Sequence, residues 1–238
     1  MLFYYIRHGE PIYSPDQLTP HGEKQAEALS ERLIKTGLDK IYASTSTRAI
    51  QTSMPTCRKL GMEPELLDFA NEHHAWMDFS VPKADGSGDH WAFHDDKYID
   101  LFTSPEIRAL GDRWYDHPAF ENTNFKKGLE RVYDAADGFF ASLGYVHDRY
   151  TGRYKCVEPN DKRVALFAHQ GFGLLFLSCL LDIPYPQIST RFDMCHTGIT
   201  LIQFRTYTNP EYCIPRVLSL SDSAHLMEKD IPSDYVRY

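Results

Sequence analysis

The sequence lacks several features that would assign it to a well-defined class of protein. None of its apolar runs reaches the roughly 18 residues that a membrane-spanning helix requires. Its five cysteines are odd in number and none stands in a C-x-x-C pair, which argues against a disulfide framework and against a zinc ribbon. It has no run of lysines and arginines and its formal net charge is −8, so we expect no nucleic-acid partner.

What remains is the composition of an ordinary globular protein, with 42% hydrophobic and 24% charged residues. The apolar start Leu2–Ile6 is followed at once by Arg7 and is too short for a signal peptide. Together with the cysteine pattern, this predicts a cytoplasmic protein without a membrane partner. The 238 residues fit one large domain that carries an insertion, and we expect a single domain over residues 1–238.

The first 61 residues show a strand–helix–strand–helix pattern. Leu2–Ile6 is a buried-strand pattern, and Thr19–Pro20 begins a helix that Gly37 ends. Lys40–Ala43 is a second strand, after which we expect Ser44 to cap a helix that ends at Gly61. This order predicts an α/β domain with a parallel sheet.

The same pattern returns late in the chain. Arg163–Ala168 is predicted to be a strand and Gly173–Leu181 a strongly apolar helix. Thr200–Phe204 and Arg216–Leu220 are predicted to be two further strands.

The middle of the sequence does not follow this pattern. Residues 73–120 are rich in aromatic residues, histidine, aspartate and glycine, and we interpret them as an insertion with an exposed loop at Ala84–Gly88. A helix over about Asn124–Leu143 follows, and then a polar hairpin or loop over Tyr145–Asp161. The aromatic residues of the insertion either form a small core or shape a lid over a substrate pocket, and both interpretations stay open: Trp76, Phe79, Trp91, Phe93, Tyr98 and Trp114.

Two histidines and two arginines are predicted to meet at one edge of the sheet. His8 follows the first strand by one residue, and His169 directly follows the strand that ends at Ala168. Arg7 adjoins His8, and Arg48 lies in the first turn of the second helix. Because ligands bind outside the carboxyl ends of strands in such sheets, these four side chains predict an anion site.

The segments that carry these residues resemble a known family. Tyr5-Ile6-Arg7-His8-Gly9-Glu10 resembles the Arg-His-Gly motif of the histidine phosphatase superfamily, which is also called phosphoglycerate mutase-like. Leu18-Thr19-Pro20-His21-Gly22 is similar to its Leu-Thr-x-x-Gly segment. The stretch Ser44 to Thr52 resembles its Ser-x-x-x-Arg-Ala-x-x-Thr segment, and Ala168-His169-Gln170-Gly171 its second histidine segment. The resemblance covers roughly residues 2–72 and 163–204 and implies a three-layer α/β/α fold with a mostly parallel central sheet and an inserted lid.

The resemblance also implies a mechanism without metal or cofactor. His8 would attack phosphorus and form a phosphohistidine, while Arg7, Arg48 and His169 would bind the phosphoryl oxygens. Glu72, in Asn71-Glu72-His73-His74, stands where the family places the acid that protonates the leaving oxygen. The glycine that usually follows this string is missing here, and the replacement candidates are Asp68, Asp78 and Glu10.

Three functions compete at this point. The first is a phosphomonoesterase that hydrolyses a small organic phosphate, the second a phosphoglycerate mutase, and the third a non-catalytic phosphate-binding protein. The mutases carry a longer segment with a Gly-Trp-x-Asp string between Arg-His-Gly and Leu-Thr. Only Glu10 to Gln17 intervene here, which favours the phosphatase.

Two further histidine patterns have weaker functional interpretations. His90 and His94 are four residues apart beside aspartates, but the glycines before them indicate a loop, and no H-E-x-x-H motif is present. We therefore expect no metal site. The stretch Ser221 to Leu226 resembles a C-terminal segment of some relatives, but we expect His225 to lie at the surface end of a strand.

Overall fold

A computed structural model describes residues 1–234 of the chain. The strands are β1 Leu2–Arg7, β2 Pro11–Tyr13, β3 Asp16–Leu18, β4 Lys40–Ser44, β5 Glu65–Leu67, β6 Ser80–Pro82, β7 Asp89–Trp91, β8 Tyr145–Asp148, β9 Arg153–Cys156, β10 Arg163–Ala168, β11 Ile199–Gln203, β12 Tyr212–Cys213 and β13 Arg216–Asp222. The α-helices are α1 Pro20–Thr36, α2 Thr47–Leu60, α3 Glu72–Phe79, α4 Asp96–Thr103, α5 Pro105–Leu110, α6 Phe125–Ser142, α7 Gln170–Leu181, α8 Tyr185–Ser189 and α9 Ala224–Met227. Short 3₁₀ helices cover Asp68–Ala70, Ala92–His94, Gly111–Asp116 and Pro118–Phe120. No helix within residues 1–234 is long and apolar enough to cross a membrane.

The central sheet has six strands in the order β13-β11-β1-β10-β4-β5. The pairs β1–β10, β10–β4 and β4–β5 are parallel, whereas β11 is antiparallel to both of its neighbours. Strand β1 is therefore central, and the carboxyl ends of β1, β10 and β4 lie at one edge of the sheet. The predicted mostly parallel sheet is confirmed.

The alternating side chains of β1 connect the sheet to two separate helical layers. Phe3 and Tyr5 belong to an apolar cluster that includes residues of α6 and α7, and the rings of Phe3 and Phe140 meet edge to face at 5.2 Å. Tyr4 and Ile6 point the other way, into a second cluster with residues of α1 and α2. Since both faces of the strand are buried, its sequence is continuously apolar, as in other parallel sheets with helices on both faces.

The predicted elements match the structure with two local corrections. Ser44 does not cap α2; it is the last residue of β4, and α2 begins after Ser46. The apolar helix begins at Gln170 rather than Gly173, directly after the histidine that ends β10. The hairpin alternative over Tyr145–Asp161 is realised as the antiparallel pair β8–β9.

Residues 73–120 are more regular than their composition predicts. They contain most of α3, the two-stranded pair β6–β7, and the helices α4 and α5. Some of their aromatic side chains are fully buried, as the stacked rings of Phe79 and Phe125 show at 5.1 Å. Ala84–Gly88 is exposed, as expected. Trp76 and Trp91, in contrast, are only partly buried.

Two glycines allow the loop after β1 to approach the start of α1. A Cβ atom at Gly22 would lie 2.2 Å from the backbone oxygen of Glu10, and one at Gly9 would lie 2.7 Å from the backbone oxygen of Gly22. Thr19 caps α1, because its hydroxyl accepts a hydrogen bond from the Gly22 amide and donates one to the Glu10 carboxylate. The Arg-His-Gly and Leu-Thr-x-x-Gly segments are thus one packed unit.

A buried ion-pair network joins the β8–β9 hairpin to α6 and α7. The ring of His147 lies between Asp137 and Asp182, with N–O distances of 2.8 and 2.9 Å, and stacks on Tyr154 at 4.3 Å. Burial lowers the pKa of His147, but the hydrogen bonds to the two carboxylates outweigh burial and raise the pKa to about 9. The imidazolium form therefore holds this part of the fold together.

His147 is expected to make stability depend on alkaline pH. Its pKa is higher in the folded state than its ordinary value of 6.5, so its stabilisation is fully present below pH 6.5 and is lost as the pH rises through about 9. At about 1.36 kcal/mol per pKa unit, the loss is about 3 kcal/mol. Urea unfolding of the wild type and of His147→Gln between pH 6 and 10 measures this loss of stability. The difference in unfolding free energy between the two proteins should shrink by this amount, and a constant difference would contradict the assignment.

Candidate active site

His8 lies just past the carboxyl end of β1 and is almost completely buried. Its backbone amide donates to the carbonyl of Ala168, which fixes the residue beside the end of β10. The ring Nδ1 lies 2.7 Å from the carbonyl oxygen of Gly9. A carbonyl only accepts, so this contact requires the proton on Nδ1 and leaves the lone pair of a neutral ring on Nε2.

The loop of His8 is held by side chains of the helices below it. The Gly9 amide donates to the hydroxyl of Thr52 at 3.0 Å, and the Glu10 amide donates to the side-chain carbonyl of Gln25 at 2.8 Å. Thr52 is the last residue of the Ser-x-x-x-Arg-Ala-x-x-Thr segment, and Gln25 follows the Leu-Thr-x-x-Gly segment. These two residues therefore have a positional role that fixes the backbone on either side of His8.

His169 occupies the corresponding place after β10, and its ring centroid is 5.1 Å from that of His8. Its Nε2 contacts the hydroxyls of Ser44 at 2.8 Å and Ser46 at 3.2 Å. The Ser44 oxygen already accepts from the Ser46 amide, so its own proton is free to be donated to Nε2. In the tautomer in which Ser44 donates to Nε2, the proton of His169 is on Nδ1, which lies 3.6 Å from a carboxylate oxygen of Glu72.

Arg48 projects from the first turn of α2 and is held on three sides. Its guanidinium donates to Asp16 at 2.7 Å and to Glu72 at 3.3 Å, and the ring of Tyr13 lies 5.3 Å away. Asp16 also accepts from the Thr47 amide at 2.8 Å. The β2–β3 hairpin thereby fixes both the start of α2 and the direction of the Arg48 side chain.

Arg7 approaches the site from the end of β1. One of its terminal nitrogens donates to the carbonyl of Met194 and lies 3.9 Å from a carboxylate oxygen of Asp234. Its Nε is buried and has no hydrogen-bond partner among residues 1–234, and the same holds for Arg48 Nε and His169 Nδ1. Three buried donors of this cluster therefore have unused hydrogen-bonding capacity, which is costly unless an acceptor binds there.

Glu72 is the first residue of α3 and reaches the same cluster. Its Oε1 accepts from the backbone amide of Gly171 at 2.8 Å, and its Oε2 faces Arg48 and His169. One nitrogen each of His8 and His169 and one oxygen of Glu72 all lie within 4.8 Å of one another. The carboxylate is thus within reach of any group that both imidazoles contact.

Burial and charge keep both imidazoles neutral. Burial lowers the pKa of His8 well below its ordinary value of 6.5, and the positive charges of Arg7 and Arg48 lower it further. Burial likewise lowers the pKa of His169, with Arg48 and Arg7 as the next causes. The site therefore carries two guanidinium charges, and the neutral His8 ring offers a lone pair.

The triplet of His8, Glu72 and His169 has the spacing of a metal site, but its surroundings favour an anion. Two nitrogens and one carboxylate oxygen within 4.8 Å could ligate a divalent ion. However, the Arg48 guanidinium contacts the same carboxylate, and both arginines depress the pKa values of the imidazoles, so a dication would be repelled. Within residues 1–234, His90 and His94 do not belong to a cluster with metal-ligand spacing, and His90 is bonded to Asp95 at 2.9 Å.

A cavity of about 690 Å³ opens directly beside Arg48 and Glu72. It is far larger than a phosphoryl group needs, and three aromatic residues contribute to its walls: Tyr13, Trp76 and Trp91. Its polar wall includes Asp16, Asn71 and His73.

The comparison with protein families agrees with the residues at this site. The family whose model matches is the histidine phosphatase superfamily (branch 1), over residues 3–95, which include Arg7, His8, Arg48 and Glu72. The sequence resemblance to this superfamily is thus confirmed over residues 3–95. A comparison with curated proteins gave no match.

Solved structures with the same fold include two phosphatases. A phosphoserine phosphatase mutant from Entamoeba histolytica, in complex with phosphoserine, is 20% identical with a TM-score of 0.60, and the match covers 94% of this chain and 98% of that one. A mycobacterial glucosyl-3-phosphoglycerate phosphatase with VO3 is 17% identical with a TM-score of 0.56, covering 92% and 98%. At these identities the likeness shows the shared phosphoglycerate mutase-like fold.

The structure brings together all five residues singled out in the sequence, and the three replacement acids make contacts with other residues. Asp78 is paired with Arg131 at 2.9 Å, Asp68 is bonded to His74 at 3.0 Å, and Glu10 accepts from Thr19.

Several contributing residues were not predicted. Asp16 had no local signal, because it meets Arg48 only through the β2–β3 hairpin. His196 lies with its ring 5.6 Å from that of His8 and is bonded to Asp234 at 2.9 Å. Ser44 and Ser46 lie inside the Ser-x-x-x-Arg-Ala-x-x-Thr segment, and this motif is the sequence signal that could have identified them.

The expectation for His225 was wrong. Its side chain is buried at the start of α9 rather than exposed at a strand end, and its Nε2 lies 3.0 Å from the hydroxyl of Thr197. The short helix α9 turns the residue inward after β13, which the strand pattern alone could not indicate.

Proposed function

We propose that the protein is a phosphomonoesterase that hydrolyses a small organic phosphate through a phosphohistidine on His8, without a metal ion. The observation that carries this proposal is the neutral, buried ring of His8, whose Nδ1 contact with Gly9 leaves the Nε2 lone pair available. A nucleophile in this state needs no further deprotonation before it attacks.

The first step transfers the phosphoryl group to the enzyme. His8 Nε2 forms a bond to phosphorus while the bond from phosphorus to the ester oxygen breaks. Arg7, Arg48 and the Nδ1 proton of His169 supply donors to the phosphoryl oxygens, and their charges stabilise the transition state. Glu72 donates a proton to the leaving oxygen, which departs as an alcohol.

The second step regenerates the enzyme. Glu72, now a carboxylate, takes a proton from a water molecule whose oxygen bonds to phosphorus. The N–P bond breaks, the electron pair returns to His8 Nε2, and inorganic phosphate leaves. The same carboxyl group thus acts first as acid and then as base.

The direct test is turnover of p-nitrophenyl phosphate in the presence of EDTA. We expect hydrolysis that chelation does not reduce and that vanadate inhibits, because the arginines take the place of a metal in charge stabilisation. Arg48→Ala should lower kcat/KM by about 10²-fold or more. Arg58→Ala, an exposed arginine in the last turn of the same helix, is the matched control and should stay at the wild-type level.

The other candidate functions give different results in this assay. Vanadate binding without turnover would indicate a non-catalytic phosphate-binding protein. Interconversion of phosphoglycerates would indicate a mutase. Loss of activity in EDTA, restored by zinc or magnesium, would overturn the metal-independent mechanism.

A further inference from the structure

The cavity beside Arg48 and Glu72 restricts which substrates can bind, and this inference rests on the proposed function. The cavity shares Arg48 and Glu72 with the catalytic cluster, so a phosphate ester bound at His8 must place its alcohol part there. A volume of about 690 Å³ accommodates a group much larger than a short alkyl chain. The residues of its walls therefore determine which alcohol fits.

Two indoles form a preorganised wall of this cavity. Trp76 from α3 and Trp91 from β7 meet edge to face, with ring centroids 5.1 Å apart. The Trp91 ring also lies against the start of α7, where a Cβ atom at Gly171 would come within 2.4 Å of it. This close approach is possible only because residue 171 is glycine, the same residue whose amide holds Glu72. The aromatic wall and the carboxylate are therefore positioned together.

A third aromatic ring completes the cavity at its mouth. Tyr13 is exposed, on the β2–β3 hairpin, and its ring packs on the Arg48 guanidinium. A planar group entering between Tyr13 and the indoles can meet aromatic faces and edges without any rearrangement of the backbone.

The charges around the cavity disfavour an acidic alcohol. Among the described residues that line it, Arg48 is the one lysine or arginine, and Asp16 and Glu72 already share it. Both acids also line the cavity, so a carboxylate on the substrate would face two acidic side chains and no unpaired lysine or arginine.

We propose that this cavity is a leaving-group subsite for an alcohol that carries a planar, uncharged ring and no carboxylate. Residues 73–120 then act as a lid segment through Trp76 and Trp91. The ring stacks against the indoles while its phosphate binds at His8.

Three primary alkyl phosphates with similar leaving groups test this inference. They are 3-phenylpropyl, propyl and 3-carboxypropyl phosphate, whose oxygen leaves from the same kind of carbon in each. We expect kcat/KM for the phenyl compound to exceed that for propyl phosphate by about 10- to 100-fold, since burial of one ring accounts for that range. The carboxy compound should be the poorest of the three.

Variants locate the effect in the cavity. Trp76→Ala and Tyr13→Ala should each reduce the phenyl-to-propyl ratio severalfold. Tyr150→Ala removes a ring that is 97% exposed in the turn between β8 and β9 and should leave the ratio unchanged. Calorimetric binding of the matching alkylphosphonates repeats the comparison without turnover, so a variant with damaged chemistry still reports on the cavity.

The outcomes separate this inference from the proposed function. Hydrolysis of all three esters with a ratio near one, or a preference for the carboxy compound, would overturn the ring subsite and leave the phosphatase intact. Absence of hydrolysis together with a preference for the phenylphosphonate would overturn the phosphatase and retain the ring subsite.

Discussion

His8→Ala is expected to lose essentially all turnover of every phosphomonoester. The structure places the free Nε2 lone pair of His8 beside the two arginines, whereas His169 Nε2 is engaged by Ser44. Without the covalent route, the remaining groups only bind and polarise the ester. Rapid quench of the wild type with labelled substrate should trap a phosphoenzyme that is labile in acid and stable in base.

Controls distinguish lost chemistry from a damaged fold. His8 is buried, so the unfolding midpoint of His8→Ala must be compared with that of the wild type, and vanadate binding shows whether the arginines are still in place. His117→Gln changes the histidine that caps the 3₁₀ helix Pro118–Phe120, outside the catalytic cluster, and should retain full turnover. A folded His8→Ala enzyme with substantial activity would exclude the phosphohistidine mechanism.

Glu72→Gln is expected to slow hydrolysis of alkyl phosphates far more than that of aryl phosphates. General acid catalysis contributes about 10²–10⁴-fold when the leaving oxygen needs a proton, and a nitrophenolate leaves readily without one. Glutamine keeps the shape of the side chain and an oxygen that can accept from the Gly171 amide. The substitution therefore removes the transferable proton with little change in geometry.

The measurement is the alkyl-to-aryl ratio of the first step. Single-turnover kinetics isolate phosphoryl transfer from phosphohistidine breakdown, in which the same carboxylate acts as base. Asp68→Asn is the matched control, because Asp68 lies four residues earlier and is bonded to His74 instead. An unchanged ratio in Glu72→Gln would remove Glu72 from the acid role, and a changed ratio in Asp68→Asn would transfer that role to Asp68.

Local sequence signals predicted the elements well where the signal lies within the element. The Thr19 cap, the Gly37 and Gly61 ends and the apolar run of β1 each report on a few neighbouring residues, and the structure has all of them. The composition of residues 73–120 did not predict their short helices and strands, because these elements depend on contacts with other segments. Its helices α4 and α5 are short, and their aromatic residues are buried by contacts with other segments, such as Phe102 against Tyr185.

The sequence by itself determined the order of the main strands and helices outside residues 73–120 and placed Arg7, His8, Arg48 and His169 at one edge of the sheet. The family resemblance added Glu72. These properties depend on periodicity, capping residues and short segments, all of which are local.

Only the tertiary structure decided the contacts and the protonation states of those side chains. Ser44 meets His169 across 125 residues of chain, and Trp91 meets Gly171 only because β7 and the start of α7 pack together. Such contacts follow from strand order, register and packing between distant segments, which no local pattern encodes. The protonation of the imidazoles and the aromatic wall of the cavity are therefore properties of the fold, and they decide which chemistry and which substrate this arrangement of elements can serve.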